Sequence, residues 1–513
     1  MRLISIKYRI KKHSRKAVFC LSALIITLVP PGCKQSTRES SNDPKEAEKH
    51  VVDPVAFDLE KIKERGTLRA IIDNSSTGYF IYKGQPMGYE YELLNLLADY
   101  LDVKLEILPT VDIDEAFAML NDGKGDLIAH NLTITKDRKE KADFTDHLYT
   151  VKQVLVQRKP DNWRKMKRHK IEDALVRNPI DLIGREVYVR KSSSYFTRLE
   201  NLSEEVGGDI IIVEDFGDVE TERLIRKVAE GEIEYTVADE DIAMVNATYY
   251  PNLDVKTAIS FPQRIAWGIR KNAPDLLVEV NGWLEKMKKK PEFYVIYKKY
   301  FKNNKAIQKR GESQYASFSG NKISPYDSLI QNAALKIGWD WKLLAAQVYQ
   351  ESKFDPYAQS WAGAVGLMQL MPSTADSYGT KNLYSPQQSL RAGVMHIEFL
   401  QKMWASKVAD STERVKFILA SYNVGAGHVL DARKLCRKYE KDPENWEDVR
   451  HFLILKSKPK YFKDPVVSLG YCRGEEPAKY VQNILEYYDH YHKLTDDQTV
   501  SLHQLPQVLA EAG

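Results

Sequence analysis

The sequence predicts an α/β domain followed by a mainly α-helical one, and three observations carry that reading. From Gly66 onward short apolar runs alternate with helical patterns, as in a parallel sheet with crossover helices. Past Pro325 the strand pattern stops and apolar residues recur at helical spacing. The length of 513 residues exceeds what one core serves and suggests two or three domains.

Hydrophobic content of 43% supports substantial cores, and 29 tyrosines leave flat polar rings compatible with carbohydrate stacking. With a net charge of only +4 and Lys and Arg interspersed among Asp and Glu, no nucleic-acid partner is implied. The strongest basic run is N-terminal: Arg2, Lys7, Arg9, Lys11, Lys12, Arg15 and Lys16 precede an apolar segment over 17–29 and then Pro30-Pro31-Gly32-Cys33. This is the layout of an export signal, too short to span a bilayer comfortably. Gly32 before Cys33 resembles a bacterial lipoprotein cleavage site, which implies a lipid anchor on Cys33; an ordinary cleaved signal or an uncleaved anchor is the alternative. Either way the remainder lies outside the cytoplasm, and the expected location is the periplasmic face of a membrane, the outer one by preference. Residues 1–32 are thus read as signal, and 33–56, polar and rich in Ser, Glu, Lys and Asp, as a tether.

Of the four cysteines, Cys20 falls in the apolar segment, and Cys436 and Cys472 fall in the C-terminal domain. A disulfide between the last two and a pair of buried thiols are both open. There is no CxxC and no metal-ligand spacing, so neither metal nor cofactor is expected.

Within the first domain, 68–72 and 104–108 read as strands, 91–101 and 113–121 as helices. Several ordered pieces then resemble the extracytoplasmic solute-binding proteins of amino-acid transporters: Gly66-Thr67-Leu68-Arg69, Gly88-Tyr89-Glu90-Tyr91-Glu92-Leu93, Asp122-Gly123-Lys124-Gly125-Asp126, Thr135-Lys136-Asp137-Arg138 and Val237-Ala238-Asp239. The resemblance implies a two-lobed periplasmic-binding-protein-like domain over 57–303, with crossing strands near 151–158 and 259–269 and a hinged cleft. It further implies that Arg138 takes the α-carboxylate of an amino acid and Asp239 its ammonium group, with Thr133, Tyr79 and Phe80 completing the pocket. Residues 304–325 are polar and basic and read as a linker.

The helical domain is expected over 326–495, with a tail over 496–513. Apolar residues at Leu329, Ile330, Ala333, Ala334 and Ile337 mark one helix, and Asp340 can cap a second that runs through Ser352. On that second helix Leu344, Val348 and Glu351 are spaced by four and three, so the Glu351 carboxyl lies over an apolar stripe. Burial there should raise its pKa, as a general acid for glycosidic cleavage requires. Asp355 precedes Pro356, which should end the helix and leave Asp355 a turn role.

Downstream come Ser360, Gly363-Ala364-Val365-Gly366-Leu367-Met368-Gln369-Leu370-Met371-Pro372 and Ser421-Tyr422-Asn423-Val424-Gly425-Ala426-Gly427. Their order and spacing resemble the lytic murein transglycosylases related to goose-type lysozyme. Together with the module in front, the whole chain is similar to the membrane-bound lytic murein transglycosylase F type. The resemblance implies a lysozyme-like fold that cleaves peptidoglycan glycan strands between N-acetylmuramic acid and N-acetylglucosamine, as an exo- or endo-acting enzyme, leaving 1,6-anhydro ends. Glu351 would act first as acid and then as base. Ser360 would lie near the acid, Met368 and Gln369 would line the groove, Tyr422 would orient the reacting ring or the acid, Asn423 would contact the N-acetyl region, and Tyr480 would support the acid. An amino acid or muropeptide in the first domain would modulate the enzyme. The alternatives are a solute receptor with a non-catalytic wall-binding domain, and a lysozyme-type hydrolase.

Overall fold

The computed structural model describes residues 54–215, 220–320 and 322–494. The signal, Cys33, nearly all of the tether and the tail lie outside the described residues.

Among the described residues a short helix, Leu59–Arg65, capped by Asp58, leads into the first lobe. That lobe supplies strands β1 (Thr67–Ile72), β2 (Phe80–Tyr82), β3 (Gln85–Met87), β4 (Lys104–Pro109), β5 (Leu127–Thr133), β6 (Asp143–Phe144) and β7 (Tyr149–Val151). The second lobe follows with β8 (Gln153–Arg158), β9 (Glu186–Arg190), β10 (Ile211–Asp215), β11 (Tyr235–Asp239) and β12 (Leu253–Ala258), and β13 (Gln263–Ile269) returns to the first. The first sheet has the order β4-β1-β5-β13-β6, with β7 also on β13, and the second the order β10-β9-β11-β8-β12. β1 pairs in parallel with β4 and β5, as the alternation of strand and helix predicts, whereas β13 is antiparallel to β5 because it arrives from the other lobe. The chain crosses between lobes at β7 to β8 and at β12 to β13, where the sequence placed the crossings.

Helix bounds follow local chemistry. The helix Ile113–Asn121 starts where Asp112 accepts from the backbone N–H of Asp114 and Glu115, and its buried face is Ile113, Ala116, Phe117 and Leu120. Trp267 stacks on Trp283 beneath the first sheet and donates its indole N–H to Glu90, 2.6 Å. Burial pushes the Glu90 carboxyl up to about 7.

Residues 304–325, expected as a linker, are folded against both lobes, with Gly311 and Phe318 on Tyr249 of the second. A helix Asn304–Gly311 and a turn of helix Ser317–Gly320 bury Ile307 and Ala316, and Ile323 follows. Lys83 N–H donates to the Tyr315 carbonyl and Ile81 N–H to the Ser317 hydroxyl. Three apolar residues this far apart give no periodicity, so only packing shows them to be anchors.

Beyond Pro325 the structure is helical. The helix Trp341–Ser352 is buried on almost every side and packs between Asp327–Ala334 and the final helix Glu475–Leu494. One continuous core runs from the first sheet into this domain. The junction is specific: Gly84, at the tip of the β2–β3 hairpin with φ +82°, sits where a Cβ would strike Phe354 at 2.6 Å and Tyr349 at 2.7 Å, and its carbonyl accepts from Tyr491, 2.7 Å. On the other side of the hairpin Tyr79 Oη and His490 Nδ1 are 2.6 Å apart.

Cys436 and Cys472 are both buried free thiols, so the disulfide alternative is corrected. Cys436 donates to the Asp442 carbonyl, 3.2 Å, and burial raises both thiols above their ordinary range. Each thiol is committed to its own packed surroundings.

Candidate active site

Asp340 opens the helix that carries Glu351 by accepting from Lys342 N–H at 2.9 Å, and its second oxygen accepts from Tyr488 at 3.0 Å. The helix ends differently from the expectation. Lys353 and Phe354 both take left-handed backbone, φ 52° and 64°, and Lys353 N–H returns to the Tyr349 carbonyl. The stop is therefore made before Pro356 is reached, and it is held by Phe354 buried against Tyr349 with ring centroids 5.6 Å apart. Asp355 is exposed and accepts from Tyr357 N–H, 2.9 Å, a turn role.

Glu351 thus sits in the last turn of a buried helix. Desolvation pushes its carboxyl up to about 8, opposed by one hydrogen bond, Tyr480 Oη to Glu351 Oε1 at 2.5 Å. Tyr480 itself accepts weakly from Gln347 Nε2, 3.4 Å. Burial, and after it the nearby Glu351 charge, push the Tyr422 phenol up, and its hydroxyl donates to the Met368 carbonyl, 2.8 Å. The acid is protonated near neutrality, can give its proton away, and has two phenols beside it.

The loop residues divide. Asn423 is exposed at the end of the helix Ser411–Val424, beside Tyr422. Ser360 and Gln369 brace the loop: the Ser360 hydroxyl accepts from Ala364 N–H at 3.0 Å, and the Gln369 amide donates to the carbonyls of Ala358 and Gly366, both 2.9 Å. Met368 is a correction. It is wholly buried, and a Cβ on Gly393 would meet it at 2.7 Å, so its side chain is core and only its backbone serves the site. Gly366 is required there, since φ is +81° and a Cβ would lie 2.1 Å from the Leu383 carbonyl. Ser421 buries its hydroxyl under the Trp404 indole N–H, 2.9 Å.

His396 is a site neighbour the sequence reading missed. Its Nδ1 is 3.0 Å from Tyr378 Oη, its ring centroid is 5.2 Å from that of Tyr422, and burial lowers its pKa. A histidine on an amphipathic helix gives no sequence signal that separates it from core.

The first domain holds a second candidate site. A cavity of about 40 Å³ between the lobes is lined by Thr133, Arg138, Asp239, His130, Arg190 and Glu222 among others. Arg138 is buried and donates to the Thr133 carbonyl, 3.0 Å. Asp239 accepts from Asn131 Nδ2, 3.2 Å, and desolvation and then the Asp241 charge hold its carboxyl well above the usual range. The lobes are joined directly: Ser76 donates to Glu222 at 2.6 Å and Ser192 to Asp114 at 2.5 Å. Tyr79 and Phe80 are corrections. Both are fully buried outside this cavity, Tyr79 against His490 and Phe80 edge-on to Tyr300 and Phe318. Tyr79 meets the helical domain and Phe80 the helices that follow the two lobes, contacts between distant segments that the sequence does not reveal.

Residues 68–303 match the bacterial extracellular solute-binding proteins, family 3, and residues 328–445 the transglycosylase SLT domain. The ancestral amino acid-binding protein AncCDT-1, a precursor of cyclohexadienyl dehydratase, is 30% identical, with a TM-score of 0.39 over 48% of this chain and 99% of that one. A membrane-bound lytic murein transglycosylase F of Desulfosudis oleivorans is 36% identical over 431 residues, 84% of this chain and 91% of the relative. That of Photobacterium profundum is 34% identical over 440 residues, 84% and 81% of the two chains. With similarity at this level across both domains, the chain belongs to the membrane-bound lytic murein transglycosylase F family.

Proposed function

We propose that the chain is a peptidoglycan lytic transglycosylase with Glu351 as its single acid and base. The observation that carries this is a carboxyl kept protonated by burial, with the Tyr480 hydroxyl as the one hydrogen bond opposing that shift. Glycosidases of the inverting and retaining classes use two carboxyl groups. Here Asp355, the nearest in sequence, is turned into an exposed loop.

Glu351 gives its proton to the glycosidic oxygen as the C1–O bond of N-acetylmuramic acid breaks, and the N-acetylglucosamine side leaves as an alcohol. The substrate's own N-acetyl oxygen shares the positive charge at C1. The Glu351 carboxylate, held by Tyr480, then takes the proton of the C6 hydroxyl while O6 bonds to C1. A 1,6-anhydro ring results, no water is consumed, and Glu351 is protonated again. Tyr422 and Asn423 border the acid and hold the reacting sugar, and Ser360 and Gln369 fix the loop beside it.

The N-terminal domain binds an amino acid or a cell-wall peptide between Arg138 and Asp239 and modulates the enzyme. The chain works on the periplasmic side of a bacterial membrane, held by a lipid on Cys33, with the outer membrane as the preferred site. The domain plan is a signal over 1–32, a tether over 33–56, the two-lobed domain over 57–303, the packed segment 304–325, the catalytic domain 326–495 and a tail. Digestion of purified peptidoglycan tests the reaction: the products should be one water lighter than those of a hydrolase, and Glu351→Gln should release none.

A further inference from the structure

Three aromatic side chains stand in solvent on the loops that follow the Glu351 helix. Trp361 is 99% exposed, Tyr357 74% and Tyr384 45%. An exposed indole buries nothing on folding, and a loop tip gains no core from it.

The backbone that carries each of them is held in place. Trp361 lies in a turn closed by Gly363 N–H to the Ser360 carbonyl, 3.0 Å, by Ser360 N–H to the Ala364 carbonyl, 2.9 Å, and by Ala364 N–H to the Ser360 hydroxyl. Tyr357 is fixed by its N–H on Asp355, and Tyr384 by its N–H on Asn382, 3.1 Å. The rings of Tyr357 and Tyr384 lie 29° from parallel with centroids 6.1 Å apart. Rings presented from braced loops lose little freedom when a ligand covers them.

We infer that Trp361, Tyr357 and Tyr384 form a binding surface for the glycan strand beyond the sugars that flank the cleaved bond. The inference rests on the reaction proposed for Glu351. Continuity with that site argues for this occupant. The loop starts at the end of the Glu351 helix, contains Ser360, and is tied through the Ala358 carbonyl to Gln369, while Leu383, next to Tyr384, packs its carbonyl on Gly366. The chemistry agrees. Exposed Gln359 and Asn382 lie along the same loops, so the apolar surface is broken into separate rings rather than one continuous face of the kind a bilayer or a protein partner covers. Flat rings among amides suit a polymer with apolar C–H faces and hydroxyl and N-acetyl edges.

The test uses the full chain carrying Glu351→Gln, pelleted with purified peptidoglycan sacculi. Trp361→Ala should weaken binding roughly three- to tenfold, and the triple variant with Tyr357→Ala and Tyr384→Ala more so. Trp361→Phe should restore most of the loss, and Tyr294→Ala, an exposed ring on another helix, should change nothing. In the active chain the KM for polymer should rise by the same factor with kcat held within about twofold. Unchanged binding by the triple variant overturns the proposal, as does a fall in kcat at constant KM, which would make these loops only a scaffold for the acid. Loss of self-association, or of binding to phosphatidylethanolamine and phosphatidylglycerol vesicles, with sacculus binding intact would assign the rings to a second copy or a bilayer and also overturn it. If substitution weakens sacculus binding while the wild-type chain releases no anhydro ends, the surface stands and the proposed reaction falls.

Discussion

Tyr480 donates a 2.5 Å hydrogen bond to Glu351 from the same helix that, ten residues on, sets His490 against Tyr79 of the first domain. One rod, Glu475–Leu494, therefore touches both the acid and the domain junction.

Removing the phenol hydroxyl has a signed effect. The hydrogen bond favours the carboxylate and lowers the pKa, so Tyr480→Phe should raise Glu351 above its present value of about 8. The alkaline limb of kcat/KM should move to higher pH. Because the carboxylate left after proton donation is then less stabilised, kcat should fall by about tenfold or more. A pH–rate profile of the variant checks both.

Glu351 also costs stability. Its folded pKa lies above the unfolded value of 4.5, so between about 4.5 and 8 the unfolded chain holds fewer protons and stability falls as pH rises. Glu351→Gln should be more stable than wild type at pH 8, by about 1–3 kcal/mol. The two should converge below pH 4, and paired thermal melts across that range measure the difference.

His490 has the opposite sign. Burial holds its pKa down to about 3, so from about 6.5 downward the unfolded state takes a proton that the folded state refuses, and stability falls with falling pH. His490→Gln should flatten that part of the stability curve relative to wild type, while weakening the junction by about 1 kcal/mol at neutral pH through the lost Tyr79 bond. Denaturant titrations at pH 7 and pH 4 separate the two effects.

At the hairpin tip, Gly84→Val forces a side chain into Phe354 and Tyr349 on a left-handed backbone. The cost should be about 2 kcal/mol or more. Since Phe354 closes the helix that bears Glu351, the turnover of the folded fraction should fall as well. Thermal melts and specific activity, normalised to folded protein, report each.

Arg138→Ala should weaken binding of a simple α-amino acid by more than about tenfold, because a buried guanidinium is the cavity's match for a carboxylate. It should also abolish any change in turnover that the amino acid causes. Calorimetry with the full chain measures the first and rate assays with and without ligand the second.

The sequence by itself determined the order of the two domains, two strands and two helices of the first lobe, the Asp340 cap and the place of Glu351 on the helix that follows it. Those follow from short-range rules: apolar periodicity, capping side chains and motifs of contiguous residues. The tertiary structure alone decided the rest. Met368 went to the core and left only its carbonyl for Tyr422, Tyr79 went to the domain junction and Phe80 against Tyr300 and Phe318, and the helix stopped on Lys353 and Phe354 rather than on proline. The segment 304–325 became a packed strap, and His396 came to the side of Tyr422. Each outcome turns on which distant surface a side chain meets. Burial and hydrogen bonding between residues hundreds of positions apart, such as Tyr79 and His490, leave no local pattern in the chain.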